Sequence, residues 1–193
     1  MKIDRLKKPE IENVEAKVIE LLEALGFDTK DTDLKDTCRR IARMYVDELL
    51  VGHYNEPPRM TFFPRNGYGK IVLLKDIAVR SLCSHHMLPF FGRAHIAYIP
   101  NERIIGISKL ARLTQYYAKR LQIQENLTEQ IAAHLNRELA PKGVIVLVEA
   151  THMCMQLRGA REHDTEMVTL SYFGEFANEK LREEFMSLIR KKR

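Results

Sequence analysis

Cysteine and histidine concentrate at two places in the chain. In SLCSHHMLPFFGRAHIAYIP, residues 81–100, Cys83 is followed by the adjacent pair His85 and His86; in EATHMCMQLRG, residues 149–159, His152 and Cys154 stand one residue apart. Thiolate and imidazole are ligands that zinc prefers. Four protein ligands make a closed structural site, whereas three leave a position at which water is bound and acidified. Cys83, His86 and Cys154 would make the three-ligand kind. Their spacing sets a condition, because residues three apart point to opposite faces of a regular strand, so Cys83 and His86 reach one metal only across a turn or bulge. A single cysteine is more often a small buried hydrophobe than a ligand. Spacing alone leaves a metal site and a packed core both open.

Other residues are suited to anions and bases. Lys109 and Arg112 follow Ser108, which reads as an N-cap, so a helix would hold both cations near its positive end. Arg40 and Arg43 repeat that spacing, although solvated helix faces carry it as well. No G-x-x-x-x-G-K-[ST] occurs, which excludes a P-loop. Gln124 and Glu125 open a helical stretch, where the helix dipole favours an acid. A carboxylate can also accept two parallel N–H bonds, the pattern offered by N1 and the 2-amino group of guanine.

The elements that must position these residues follow from periodicity. Residues 9–26 place Ile11, Val14, Val18, Leu21, Leu22 and Leu25 at helical spacing between Pro9 and Gly26, and residues 34–52 do so with Leu34, Cys38, Ile41, Tyr45 and Leu49. These two predict an N-terminal helical hairpin. NEPPRMTFFPRNGYGK reads as a connecting loop. KIVLLKDIAV, GRAHIAYIP and RIIGI alternate as strands, with PNER as a turn. Helices are predicted for SKLARLTQYYAKRL, QENLTEQIAAHLNREL and NEKLREEFMSLIRKK, and strands for GVIVLVEATHMCMQLRG and EMVTLSYFGEF. On a strand running through Arg158, Val144, Val146, Val148, Ala150, His152, Cys154, Gln156 and Arg158 would share one face, turning from apolar to chemical. The order, without regular βαβ alternation, predicts an antiparallel α+β domain, with residues 1–57 as a helical region and 58–193 as a catalytic domain.

Length and composition bound the rest. A chain of 193 residues that is 45% hydrophobic fits one domain with a small lobe. Three widely spaced cysteines argue against a disulfide framework and for a reducing compartment. No apolar run approaches the roughly 18 residues of a membrane helix, and MKIDRLKKPE lacks a signal-peptide core, so the expectation is a cytoplasmic protein without membrane contact. The net charge of +5 is dispersed except for the tail IRKKR, which reads as an exposed charged terminus rather than a nucleic-acid site.

CSHH, GRAHIAYIP, IGISKLARLTQ, RLQIQENLTEQIA and EATHMCMQLRG stand in one order and spacing that strongly resembles the GTP cyclohydrolase I family, from about residue 9 to the C-terminus. The resemblance implies the tunnelling fold and conversion of GTP to 7,8-dihydroneopterin triphosphate and formate. It implies zinc held by Cys83, His86 and Cys154, with His85 and His152 as proton-transfer groups. Gln124 and Glu125 would contact guanine. Ser108, Lys109, Arg112 and Arg158 would surround ribose and triphosphate, and Arg40 would reach a neighbouring subunit's site. A homodecamer of two stacked pentamers is implied, with sites at subunit boundaries. The chain departs from the family pattern at Ser84, where Glu is usual, at Cys38, where Pro is usual, and across AREHDTEMVTLSYFGEF. The rival readings are another tunnelling-fold enzyme acting on a purine or pterin, and a non-catalytic zinc-stabilised nucleotide-binding protein. The first would need no zinc triad, and the second would need neither His85 nor His152.

Overall fold

The computed structural model describes residues 5–190. The chain divides after Glu56 into two compact units.

The first unit is helical. Its first helix, α1 (Ile11–Ala24), has a conventional amphipathic stripe and no fully buried residue. Arg39 in α2 (Thr37–Arg43) pairs with Glu12 and Glu15 of α1. The long second helix expected from the sequence is segmented: a 3₁₀ turn at Thr32–Leu34, α2, a π-helical stretch at Met44–Leu49, then α3 (Val51–Tyr54).

The second unit is an α+β layer structure. Five strands hydrogen-bond in the order β5 (Leu121–Gln122), β2 (Val72–Cys83), β3 (Pro89–Ile99), β6 (Gly143–His152), β7 (Met167–Gly174). β2, β3, β6 and β7 are antiparallel neighbours, whereas β5 runs parallel to β2, pairing Cys83 with Gln122. The sheet is therefore mixed, where the sequence predicts a purely antiparallel one. A separate ribbon pairs β1 (Phe62–Pro64) with β4 (Arg103–Ile105), so the expected loop between the units contains a short strand.

The sheet is covered on both faces, and its residues alternate accordingly. On one, Ala94, Ile96, Val144, Val146 and Val148 are fully buried, along with Leu110 and Leu113 of α4 (Ile107–Ala118) and Leu127, Ile131 and Leu135 of α5 (Gln124–Leu139). On the other, Ala97, Ile99, Ile145 and Leu147 pack with Phe176 and with Phe185 of α7 (Glu179–Arg190). Burying one such aliphatic or aromatic side chain contributes about 1.5–3 kcal/mol, so this two-sided core fixes the register on which the strand ends depend. A bulge between Leu74 and Ile77 interrupts β2, and there the Asp76 N–H donates to His95 Nδ1 at 3.3 Å.

Two local expectations change. Gly106, not Ser108, caps α4, so Ser108 lies inside its first turn. β6 ends at His152 and the chain turns into the one-turn helix α6 (Met153–Gln156), so Cys154, Gln156 and Arg158 do not continue the strand's face. Met and Gln are good helix formers, and their local preference takes over where the β3 partner strand runs out at Phe90 and Pro89. Among the described residues no helix is long and apolar enough to cross a membrane. Lys191–Arg193 of the basic tail lie outside the described residues.

Candidate active site

The C-terminal ends of β2 and β6 lie at the same end of the sheet, because each pairs antiparallel with β3, which begins there. Cys83 closes β2 and is buried. The chain then makes a turn, which Cys83 and His86 would need in order to share a metal. The Cys83 N–H donates to the Leu88 carbonyl and the Met87 N–H to the Cys83 carbonyl, both at 2.8 Å, with Met87 at φ +54°. The Ser84 N–H donates to the Gln122 carbonyl at 2.9 Å, tying the turn to β5.

His152 closes β6 opposite Phe90, whose ring stacks on the imidazole at 4.5 Å between centroids with 9° between planes. Turning into α6 brings Cys154 Sγ to 3.9 Å from Cys83 Sγ. One ligand atom from each of Cys83, His152 and Cys154 lies within 4.8 Å of the others. The side chains Cys83, His85, Glu125, His152 and Cys154 all line one pocket of about 440 Å³.

Two observations fit this cluster to a metal. Sulfurs bound tetrahedrally to one zinc at about 2.3 Å lie roughly 3.8 Å apart, close to the 3.9 Å seen here and far beyond a disulfide bond. Burial and the neighbouring Cys83 push the Cys154 thiol above its usual range, with Arg158 opposing. The Cys154 thiol therefore resists ionisation, and a divalent cation beside it would remove that resistance.

The two adjacent histidines diverge. His85 Nδ1 stands 3.7 Å from Cys83 Sγ. His86 instead meets Arg158, with the guanidinium donating to its Nε2 at 2.6 Å. That contact occupies a lone pair, so it and metal ligation by the same nitrogen exclude each other. Burial holds the His152 pKa below the ordinary histidine value, partly offset by the Glu125 carboxylate.

Glu125 is exposed in the first turn of α5 and lines the pocket, while Gln124 beside it is fully buried. Ser108, Lys109 and Arg112 are elsewhere. Gln115, one turn beyond Arg112 on α4, donates to the Ala78 carbonyl at 2.6 Å. Ala78 is five strand residues from Cys83, or roughly 17 Å at about 3.4 Å per residue. The α4 N-terminus lies farther still, beside Tyr98, whose hydroxyl accepts from the Ile105 N–H. One chain thus gathers Cys83, His85, Glu125, His152 and Cys154 and leaves the α4 residues apart. Arg40 belongs to the first unit, where it donates to Thr37.

Sequence reasoning missed Phe90, Met155, Thr165 and Glu166. Phe90 faces His152 across the β3–β6 ladder, and the other three line the pocket wall. Thr165 and Glu166 fall within AREHDTEMVTLSYFGEF, whose departure from the family pattern does not say which of its side chains face inward.

A family model described as GTP cyclohydrolase I matches residues 14–190. Proteins called GTP cyclohydrolase 1 align at similar levels. That of Streptococcus agalactiae serotype V is 43% identical over 188 residues, covering 95% of this chain and 99% of its own. That of Coxiella burnetii strain Dugway is 45% identical over 175 residues, covering 89% and 94%. That of Parabacteroides distasonis is 44% identical over 177 residues, covering 90% of each. Among solved structures, the archaeosine synthase QueF-Like in the apo form aligns with 54% of this chain and 93% of that chain, at a TM-score of 0.46 and 18% identity.

Proposed function

The chain belongs to the GTP cyclohydrolase I family, and we propose that the pocket at the ends of β2 and β6 is where it performs the family reaction, converting GTP and water to 7,8-dihydroneopterin triphosphate and formate. One observation carries this assignment: two thiols and an imidazole share a single locus beside Glu125.

Cys83 and Cys154 hold the metal, and zinc matches their chemistry. The family resemblance implies His86 as the third ligand, which must release Arg158 to serve, and leaves His85 and His152 to move protons. Zinc held by these residues would supply Lewis acidity that makes water a nucleophile near neutral pH. His152, kept neutral by burial, enters the reaction able to take a proton and then return it to a ring nitrogen of the purine. His85, exposed beside Cys83, exchanges protons with solvent. The Glu125 carboxylate accepts from guanine N1–H and the 2-amino group and meets an acceptor where a 6-aminopurine has N1, which rejects adenine. Arg158 neutralises substrate phosphate.

Ser108, Lys109 and Arg112 complete the triphosphate site from a neighbouring copy of the chain, with Arg40 as a further contribution across copies. Their distance from Cys83 within one chain supports this reading. So does the edge strand β7, which leaves Val168, Leu170 and Tyr172 exposed at 55%, 44% and 41%. Both features suit a tunnelling-fold ring, a homodecamer of two pentamers in the cytoplasm, feeding pterin and folate synthesis. The test is incubation of the zinc-loaded protein with GTP. Equimolar formate and a pterin chromophore are expected, and a metal-loaded assembly that releases neither contradicts the assignment.

A further inference from the structure

Gln124 is 0% exposed, and its side-chain amide is committed to protein partners. Nε2 donates to the Val148 carbonyl at 3.0 Å and the Met167 carbonyl at 2.9 Å, and it reaches the Thr169 hydroxyl at 3.2 Å. Carbonyl oxygens only accept, so turning the amide over would set Oε1 against two acceptors in a buried site. The Thr169 hydroxyl is itself held by Thr128 at 2.6 Å, and Thr128 donates to the Gln124 carbonyl at 2.9 Å. The amide orientation is therefore fixed from several directions. Its Oε1 then lies 2.8 Å from His152 Nε2. An amide oxygen accepts and cannot donate, so this imidazole nitrogen carries the proton.

We propose that Gln124 is a positioning residue that locks neutral His152 in the Nε2–H tautomer, making Nδ1 the one nitrogen this ring offers to the pocket. The inference rests on the reading of the pocket as the reaction site and deepens it. The ring stacked on Phe90 cannot flip about its axis without losing the Gln124 bond. The Nδ1 lone pair is then the one that takes a proton, while the opposite nitrogen stays engaged by Gln124. Gln124 then acts on guanine only through His152, since its amide has no free hydrogen for a base, and direct base readout falls to Glu125 beside it.

The test is imidazole ¹⁵N NMR of the full chain labelled at its 7 histidines, at alkaline pH, with His152 assigned by difference against His152→Ala. A pyrrole-type, protonated Nε2 is expected. A pyrrole-type Nδ1 overturns the proposal. This readout needs no turnover, so it fails or succeeds separately from the assignment of the reaction. Gln124→Met keeps the length and removes both amide groups. It should mix the two tautomers and lower kcat by about 10- to 100-fold, the range for losing an outer partner of a working imidazole, with KM for GTP within about twofold. An unchanged tautomer in that variant, or a loss confined to KM, overturns the positioning role and returns Gln124 to base contact. If Gln124→Met does not fold, the wild-type spectrum decides alone.

Discussion

His134 lies in α5, 5% exposed, and its environment makes it a pH-dependent liability. The Tyr117 hydroxyl is 2.9 Å from Nδ1, and Arg137 donates to the same nitrogen at 3.3 Å. Burial first, and then the Arg137 charge, push the pKa from 6.5 down to about 4, with Glu138 opposing. The unfolded chain takes up a proton near 6.5, while the folded chain refuses it until about 4. Between those values the unfolded state binds more protons, so falling pH favours unfolding. The contribution is intact above the upper value and erodes by about 1.4 kcal/mol per pH unit through the window, reaching about 3 kcal/mol at its foot. Against a typical stability of about 5–15 kcal/mol, this is a large fraction. His134→Gln retains an oxygen to accept from Tyr117 and does not titrate. Unfolding of both proteins should be followed by circular dichroism at one fixed concentration, because assembly shifts apparent stability. The wild type should lose about 3 kcal/mol relative to the variant between about pH 7 and 4. Parallel stability curves across that range would show that His134 is not the group responsible.

Cys154→Ser replaces a thiolate with a neutral hydroxyl, so zinc content and GTP turnover should fall together, as read by metal analysis and formate release. Full activity in a zinc-free variant would contradict the metal assignment. Glu125→Gln exchanges one acceptor for a misplaced donor and should weaken GTP binding by about 1.5–3 kcal/mol, roughly 10- to 100-fold, measured by calorimetry on zinc-depleted protein. Unchanged affinity would reduce Glu125 to a helix-terminal acid. Gly92→Ala would set its Cβ 1.9 Å from the Glu149 carbonyl oxygen and 2.6 Å from Ala150 Cα. Backbone cannot yield as a side chain does, so the cost should reach or exceed about 3 kcal/mol. The β3–β6 ladder that aligns Phe90 with His152 should loosen, and an unfolding midpoint equal to the wild type's would show otherwise.

The helices α1, α4, α5 and α7 and the strands β3 and β7 were legible because their apolar residues repeat at one clean period. β6 was legible only to His152, because the alternation persisted in sequence through Arg158 while the pairing that supports a strand ended at Phe90 and Pro89. β1 was hidden, since three residues inside a proline-rich segment form a strand only through their pairing with β4. A turn after Cys83 was legible only as the condition for Cys83 and His86 to share a metal, and the Cys83–Cys154 meeting only as what the family resemblance implies. What spacing could not supply was the end of the sheet at which each residue lies. Ser108, Lys109 and Arg112 are close in sequence to Gln124 yet sit toward the opposite end of β2, because α4 runs along the sheet before β5 and α5 begin. Nor could it show which way side chains turn, as with His86 toward Arg158 and Gln124 into the core.

In the proposed site the thiols hold a metal while His152 moves protons beside it. Zinc content and formate release, measured on one preparation of His152→Ala, test it most directly. Zinc should remain at the wild-type level while turnover of GTP falls by about 10²- to 10⁴-fold, the usual contribution of a positioned general acid or base. Loss of zinc from a folded His152→Ala protein, or formate release at the wild-type rate, would contradict it.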